Sequence, residues 1–495
     1  MANGTVLLIY PPVAKPCEPP AGIAKLAGAL DLHGIEVTLL DANLEGMLRL
    51  IDGPIPDTDT WTRRAVRNRK AHLETLTHEK GFGNPDRYRR AVSDLNRLLS
   101  IAARSKGGQI SLANYQVETL SPLKSQDLLR AAHHPETNAF FAYFSERLSG
   151  LMEEKTPDRV GFSLNYLSQA LTTFAMAGYL RQISPKTQIV IGGGLVTSWM
   201  SAPHWRDPFD GLFDHMVTGA GEAALLDILR ISDRFPHSVP DYSGLSSNTY
   251  LSPGFILPYS ASSGCYWNRC AFCPERAEDN PYVPVPVHEA ITDLHALSEK
   301  THPVLIHLLD NAVSPKLMEA ISDDPPGPPW YGFARITSHL TDPEFCRGLK
   351  KSGCLMLKLG LESGDQKVLD TLEKGIDLNM AAEALTTLKN AGIATYVYLL
   401  FGTAAETRVE AERTLDFAAR HSGSIGFLNL AIFNLPAYGP GLEALNTSDF
   451  YDGDLTLYRD FEHPGGWHRQ QVRDFLDKEF RRHPAIAPIL RRDPL

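Results

Sequence analysis

Ser262-Ser263-Gly264-Cys265-Tyr266-Trp267-Asn268-Arg269-Cys270-Ala271-Phe272-Cys273-Pro274-Glu275 puts three cysteines on one short, glycine-opened loop. Three thiolates this close can reach three corners of one cubane iron–sulfur cluster and leave the fourth iron without a protein ligand. An open iron can bind a small molecule and pass it an electron. The rival reading is a zinc site, which needs a fourth ligand; His288 is the nearest downstream histidine. It follows the Pro-rich run Pro281 to Val287, and no second Cys-x2-Cys pair or histidine completes a knuckle. Disulfides are disfavoured, because six cysteines in 495 residues is a sparse pattern and three on one loop leave one over.

After this loop the sequence alternates between strands and helices. Val304–Leu309, Trp330–Ala334, Leu355–Leu361, Ala394–Phe401 and Gly426–Phe433 read as strands, with helices between them, such as Asn379–Asn390 before Gly392. Repeated strand–helix pairs predict a full or partial parallel barrel. In Leu355 to Ser363, Leu357, Leu359 and Leu361 share one face, while Gly360 and Glu362 share the other. Leucines suit the outer face under the helices, so Glu362 is expected inside, at the carboxyl end of its strand, where barrel enzymes keep catalytic groups. The same parity groups Tyr331, Phe333 and Arg335, and separately Tyr396 and Tyr398. A buried Glu362 needs a ligand or a partner such as Arg335; a purely structural ion pair is the plainer alternative.

Ahead of the loop lies a second α/β series. Val6-Leu7-Leu8-Ile9-Tyr10 ends at Pro11-Pro12, a helix runs from about Ala21 to His33, and Glu36 to Leu40 forms the next strand. From Asn43 to Thr156 helical stretches are expected near Thr62–His78, Asp86–Ala103 and Glu136–Glu153, with no convincing strand. Strands resume at Val160-Gly161-Phe162-Ser163, at Gln188 to Ile191 before Gly192-Gly193-Gly194, and at His215 to Thr218 before Gly219-Ala220-Gly221-Glu222. The expected fold is thus α/β: a doubly wound, Rossmann-like parallel sheet with a helical insertion, then a (β/α)6-type partial TIM barrel. Expected boundaries are 1–235 with the insertion at about 43–156, a linker over 236–258, the barrel over 259–437, and a C-terminal helical extension over 438–495. The length, beyond one hydrophobic core, agrees with at least two domains.

Charge and hydropathy exclude some classes. A net charge of −10 gives no general pull toward nucleic acid or anionic lipid. No apolar run reaches the ~20 residues needed to span a bilayer. With no export segment at the start, a cytoplasmic location is expected. One local exception is the basic set Arg63, Arg64, Arg67, Arg69, Lys70, Arg87, Arg89, Arg90 and Arg97. It reads as a solvated helical face or, more sharply, as a positively charged lid for an acidic substrate.

The cysteine loop, its aromatic residue before the last cysteine and the later Gly360-Leu361-Glu362-Ser363-Gly364 resemble the radical S-adenosylmethionine (SAM) enzymes. The first domain resembles the cobalamin-binding domain often fused ahead of that barrel, through Val6 to Pro12, Pro19-Pro20-Ala21-Gly22, Gly161-Phe162-Ser163, Gly192-Gly193-Gly194 and Gly219-Ala220-Gly221-Glu222. Two departures stand out. One extra residue separates Cys265 from Cys270 relative to the usual Cys-x3-Cys-x2-Cys, and no Asp-x-His-x-x-Gly run supplies a lower histidine to cobalt.

The resemblance implies that Cys265, Cys270 and Cys273 hold a [4Fe-4S] cluster whose open iron takes SAM. It implies further SAM contacts at Phe272, Asp310, Arg335, Glu362, Ser363 and Gly402, and a cobalamin crevice at Pro12, Ser163, Gly192, Gly193, Gly194, Gly219, Gly221 and Glu222. Glu362 and Tyr398 are the catalytic candidates. The implied activity is methylation of an unactivated carbon in a small-molecule or peptide substrate, with an electron donor such as flavodoxin or ferredoxin. Two alternatives stay open: a radical SAM rearrangement, cyclisation or oxidation without methyl transfer, and a non-catalytic iron–sulfur or zinc protein. Cys346 and Cys354 read as core residues, and Cys17 as a loop residue that could face cobalamin. Trp467–Arg482 reads as an amphipathic helix packed on the barrel.

Overall fold

The computed structural model describes residues 4–56, 58–232, 237–247, 249–439 and 445–492. They divide into two compact units, one running to Ile256 and including Tyr451–Leu457, the other comprising Leu257–Phe450 and the chain from Tyr458 onward.

The first unit is built on strands β1 (Val6–Tyr10), β2 (Val37–Asp41), β5 (Arg159–Ser163), β6 (Gln188–Gly192) and β7 (His215–Met216), with a small hairpin β3 (Gly108–Ile110) and β4 (Tyr115–Val117) set apart. The main sheet runs β2-β1-β5-β6-β7, and every pairing in it is parallel. That order is the doubly wound one in which connections reverse between the first strand and the next to join it, opening a crevice at the strands' carboxyl ends. Burial on both faces explains the apolar run at Leu7, Leu8 and Ile9.

The insertion holds the expected helices at Thr60–Thr77 and Pro85–Arg104. The third begins later than expected, at Phe141–Lys155, and Ser125–His133 adds a helix that the periodicity did not separate. The β3–β4 hairpin corrects the expectation of no strand here: two three-residue strands are too short to carry a period. The insertion shares the unit's core, where Leu95, Leu98, Phe140 and Phe144 join Phe174 of the helix Leu167–Ile183. Gly178 lets that helix lie against Ala132, whose carbonyl would sit 1.9 Å from any Cβ at 178.

Much of the basic set stitches these helices together. Arg69 donates to the carbonyls of Ile51, Asp52 and Gly53 at the end of the helix Ala42–Asp52. Arg64 meets the buried Asp94, Arg87 donates to Thr75, and Arg97 pairs with Asp59 while lying over Trp61. The solvated-face reading therefore holds only for part of the run.

The second unit carries β8 (Ile256–Tyr259), β9 (Ser262–Ser263), β10 (Val283–Pro284), β11 (Leu305–Leu308), β12 (Trp330–Ala334), β13 (Cys354–Glu362), β14 (Ala394–Phe401) and β15 (Phe427–Ile432). Its six-stranded sheet follows the order β15-β14-β13-β12-β11-β8, and β11 to β15 pair in parallel. This is the partial barrel. The expected linker over 236–258 instead ends in its first strand. Pro258 hid that strand from the sequence reading; proline is tolerated because β8 lies at the sheet edge. Outer residues Leu357, Leu359 and Leu361 are buried under the helices, as the parity required. The C-terminal extension is only partly helical: Leu435–Pro436, Thr447–Asp449 and Tyr458–Phe461 form a small antiparallel sheet. The expected helix over Trp467–Arg482 is an α-helix only over Arg469–Phe475 and continues as a π-helical turn, Leu476–Phe480; Phe475 and Phe480 pack against Phe401.

Candidate cofactor site

The cysteine loop is fastened at both ends. Asp310, buried at the end of β11, accepts from the Ala261 backbone N–H at 3.1 Å and from the Ser262 hydroxyl. Asn311 Nδ2 donates to the Gly264 carbonyl at 3.2 Å, and Gly264 is in the left-handed region, where a Cβ would meet the Pro281 carbonyl at 2.3 Å. The rest of the loop lies on the segment that follows Gln366–Thr371. Ala271 N–H donates to the Leu372 carbonyl at 2.9 Å, Trp267 Nε1 to the Glu373 carbonyl at 3.1 Å, and Arg276 pairs with Glu373. Gly375 faces the Trp267 indole so closely that a Cβ would lie 2.3 Å from it. Between Cys265 and Cys270, Asn268 takes φ +43, a left-handed conformation that asparagine tolerates.

Cys265, Cys270 and Cys273 are all free thiols and half-buried. Burial raises the pKa of both Cys270 and Cys273, and repulsion between thiols adds to it, Cys265 acting on Cys270 and Cys270 on Cys273. Burial is the largest cause in both, pushing Cys273 up to about 11, while Lys374 and Arg335 pull Cys270 back. Among the described residues no group of three or more His, Cys, Asp or Glu side chains is already arranged about a metal-ion site. Thiolates on one zinc ion would stand about 3.8 Å apart, from bonds of about 2.3 Å in a tetrahedron; a cubane spreads its ligands wider. His288, the candidate fourth zinc ligand, is turned to solvent with its side chain 82% exposed. The donor set, three sulfurs on one pinned loop, fits a cluster better than a lone ion.

Around the loop, predicted SAM residues divide into reachable and engaged. Glu362 stands where β13 slips register against β14, at φ +70, a bulge that re-aims its side chain. Its partner is Lys374, with Nζ 2.8 Å from Oε1, and not Arg335. Arg335 instead donates to the Lys374 carbonyl at 2.7 Å and lies 4.0 Å over the Trp267 ring. Lys374 Nζ is 5.5 Å from the Phe272 ring centroid. Phe272, Arg335 and Glu362 are therefore brought together around Lys374, a residue the sequence reading missed.

Ser363 and Asp310 are otherwise occupied. Ser363, fully buried, bonds Thr414 Oγ1 at 3.1 Å and accepts from the Asp365 N–H. Asp310 has both carboxylate oxygens on the loop, so it positions the loop and is not turned to a ligand. Gly402, at φ +77, donates its N–H to Glu406 Oε2 at 2.5 Å, and Trp467 Nε1 donates to the same oxygen at 3.2 Å. Glu406 is fully buried, its Oε1 has no hydrogen-bond partner among the described residues, and burial raises its pKa to about 8. Glu406 follows Gly402 by four positions, a pairing visible only once the turn after β14 is built.

The inner barrel face is polar and aromatic. Register places Phe333, Lys358, Tyr396 and Phe427 in one row across four strands. Lys358 Nζ lies 4.8 Å from the Tyr331 centroid, 5.1 Å from that of Phe333 and 3.4 Å from His307 Nε2. Tyr398, a catalytic candidate, sits 5.0 Å from both Phe333 and Tyr396, measured between ring centroids.

In the first unit the predicted crevice residues gather at the carboxyl ends of β1, β5, β6 and β7. Gly22 approaches Ser163 Oγ, so that a Cβ would lie at 3.4 Å. Asn165 donates to Ser163 Oγ and accepts from Gly194 N–H, and Gly193 at φ +111 passes beside the Leu164 carbonyl. Gly219 N–H donates to Thr197, Gly221 packs on Leu26, and Glu222 pairs with Lys25 at 2.8 Å. The Pro12 loop is held by Ala14 N–H to Asn43 and by Gln169 to the Pro11 carbonyl. Asp41, buried at the end of β2, has its pKa raised to about 7 by burial. Cys346 and Cys354 are core thiols, fully buried as expected.

Residues 259–418 match the family model of the radical SAM superfamily. An uncharacterized methyltransferase of Pyrococcus horikoshii is 24% identical over 192 residues, 37% of this chain and 41% of that protein; the chain thus aligns with under half of that relative's length. Among solved structures, the radical SAM methyltransferase TsrM from Kitasatospora setae, with tryptophan substrate and a SAM analogue bound, superposes with a TM-score of 0.57 at 15% identity, covering 91% of this chain and 79% of TsrM. The cobalamin-dependent SAM radical enzyme OxsB with aqua-cobalamin gives 0.52 at 14% identity, covering 98% of this chain and 58% of OxsB. At these identities the likeness is one of fold, and it spans both units.

Proposed function

We propose, for a chain whose residues 259–418 form a radical SAM domain, that it is a cobalamin-dependent enzyme methylating an unactivated carbon of a small molecule. The observation that carries this reading is the cysteine loop, with three free thiols and pinned to the 372–375 segment. Cys265, Cys270 and Cys273 would hold a [4Fe-4S] cluster and leave one iron open. When bound, these groups supply one-electron activation of SAM, and cobalamin supplies a carried methyl group.

The chain's own residues would bind and orient. Arg335, Lys374 and Glu362 offer two cations and a carboxylate to a zwitterionic amino acid moiety. Phe272 offers an aromatic edge for adenine, and the left-handed turn at Gly402 allows close backbone approach. In the first unit the glycine turns and Pro12, Ser163 and Glu222 would line the cobalamin crevice at the sheet's switch point. Support for methyl transfer comes from the names of TsrM and the Pyrococcus relative, and support for cobalamin from OxsB. A flavodoxin or ferredoxin would supply electrons.

The test is anaerobic incubation of iron-loaded, cobalamin-loaded protein with reductant, SAM and candidate substrates. 5′-Deoxyadenosine together with S-adenosylhomocysteine is the expected outcome. Deoxyadenosine alone would replace methyl transfer by a rearrangement, cyclisation or oxidation. Formation of neither product would refute the reading.

A further inference from the structure

The barrel's inner face is built for something other than packing. The outward residues of β13 and β14, Leu357, Leu359, Val397 and Leu399, are at most 1% exposed, as a close-packed layer requires. Their inward neighbours differ in kind and in accessibility. Lys358, Tyr331, Phe333, Tyr396 and Tyr398 are all only partly buried. A closed barrel interior is normally filled by layers of branched aliphatic side chains. Here a lysine occupies the middle of the longest strand, and rings occupy the strands beside it.

We infer that this face is the substrate site, and that it takes a small planar aromatic acid whose anionic group meets Lys358; the inference rests on the radical SAM reading above. Three features converge. The ammonium of Lys358, within 5.1 Å of the Tyr331 and Phe333 centroids and 3.4 Å from His307 Nε2, is held in place by aromatic faces and an imidazole. The rings supply flat walls: His307 and Tyr331 stack 8° from parallel at 4.3 Å, and Tyr398 stands 5.0 Å from Phe333. The face is bounded beyond the lysine: at the next inward residue of β13, Gly360, a Cβ would meet Glu362 Oε1 at 2.5 Å and Lys374 Nζ at 2.9 Å, so that pair closes the far end. An ammonium and a polar imidazole between aromatic walls recognise charge at one end of a ligand and a π-face along it. Lys358 is thus a binding residue for the substrate's anion, two inward positions below the Glu362–Lys374 pair on the same strand.

The test uses 2-naphthoate and its neutral analogue 2-naphthamide as probes, with binding read by saturation-transfer NMR on the full chain. Wild-type protein is expected to bind the acid at least tenfold more tightly than the amide. Lys358→Met should abolish that preference while leaving the weak amide binding and the melting temperature in place, and Lys358→Arg should restore part of it. Equal affinity for acid and amide in the wild type, or an undiminished preference in Lys358→Met, would overturn the proposal. Iron content measured on the same samples separates the two readings. Acid preference in protein that takes up no iron keeps this site and sinks the cluster, whereas a loaded cluster without acid preference does the reverse.

Discussion

Lys374 places its Nζ 2.8 Å from Glu362 Oε1 while its backbone carbonyl accepts from Arg335, so one residue ties the bulge at the end of β13 to the cation stacked on Trp267. Both side chains of the pair are about one-tenth exposed. Breaking a buried pair by removing one partner leaves an uncompensated charge and costs about 3–5 kcal/mol. Lys374→Met is therefore expected to lower stability by several kcal/mol, and Lys374→Met combined with Glu362→Gln by much less than the sum. Chemical denaturation of the four proteins in the cycle measures this; additive losses would show that the pair is not coupled.

Asn268, within the longer first interval of the cysteine loop, stands at φ +43. A β-branched residue resists that conformation by about 1–3 kcal/mol. Asn268→Val should cut iron incorporation by half or more, and Asn268→Gly should keep it. Iron assay after anaerobic reconstitution decides; equal loading in both would mean that the loop does not need this turn.

Glu406 offers a pH test. Its folded pKa is raised by burial to about 8, above the ordinary carboxylate value, so the folded state keeps a proton that the unfolded chain releases. Its contribution is fully present below the unfolded pKa, and is lost as pH rises through about 8, at up to about 1.4 kcal/mol per pH unit. Glu406→Gln should flatten the fall of melting temperature between pH 6 and pH 8. An unchanged slope in that variant would assign the fall to other groups.

Gly193 turns at φ +111 with the Leu164 carbonyl 2.4 Å from where a Cβ would stand. Gly193→Ala should disturb the crevice and lower retention of added hydroxocobalamin at least tenfold. Gly34→Ala also meets a positive φ, but with nothing within 4 Å and outside the crevice. It should lose stability without losing retention. Matching losses in the two variants would detach cobalamin from this loop.

Periodicity carried the fold where segments were long and one face was buried. β12 and β14 have the predicted ends, because Trp330–Ala334 and Ala394–Phe401 alternate between an apolar outer face and a mixed inner one. It failed where the signal was short or masked. The three-residue strands of the hairpin give no period, and Pro258 disguised an edge strand as linker. The loop cysteines were legible because their spacing is local. Lys374 was not, because it reaches Glu362 only after the chain has passed through Gln366–Thr371 and turned back. Lys358 shares the strand parity of Gly360 and Glu362, but only the register of neighbouring strands sets it between Phe333 and Tyr396. Asp310 and Ser363 lay in the expected places, but their hydrogen bonds turn them inward to the scaffold.

Electron paramagnetic resonance of the dithionite-reduced, reconstituted protein tests the three-cysteine cluster most directly. Reduced protein is expected to show a [4Fe-4S] signal with about four irons per chain, a signal that shifts when SAM is added and disappears in Cys270→Ala. A signal indifferent to SAM, or a purified protein carrying one zinc ion in place of iron, would contradict it.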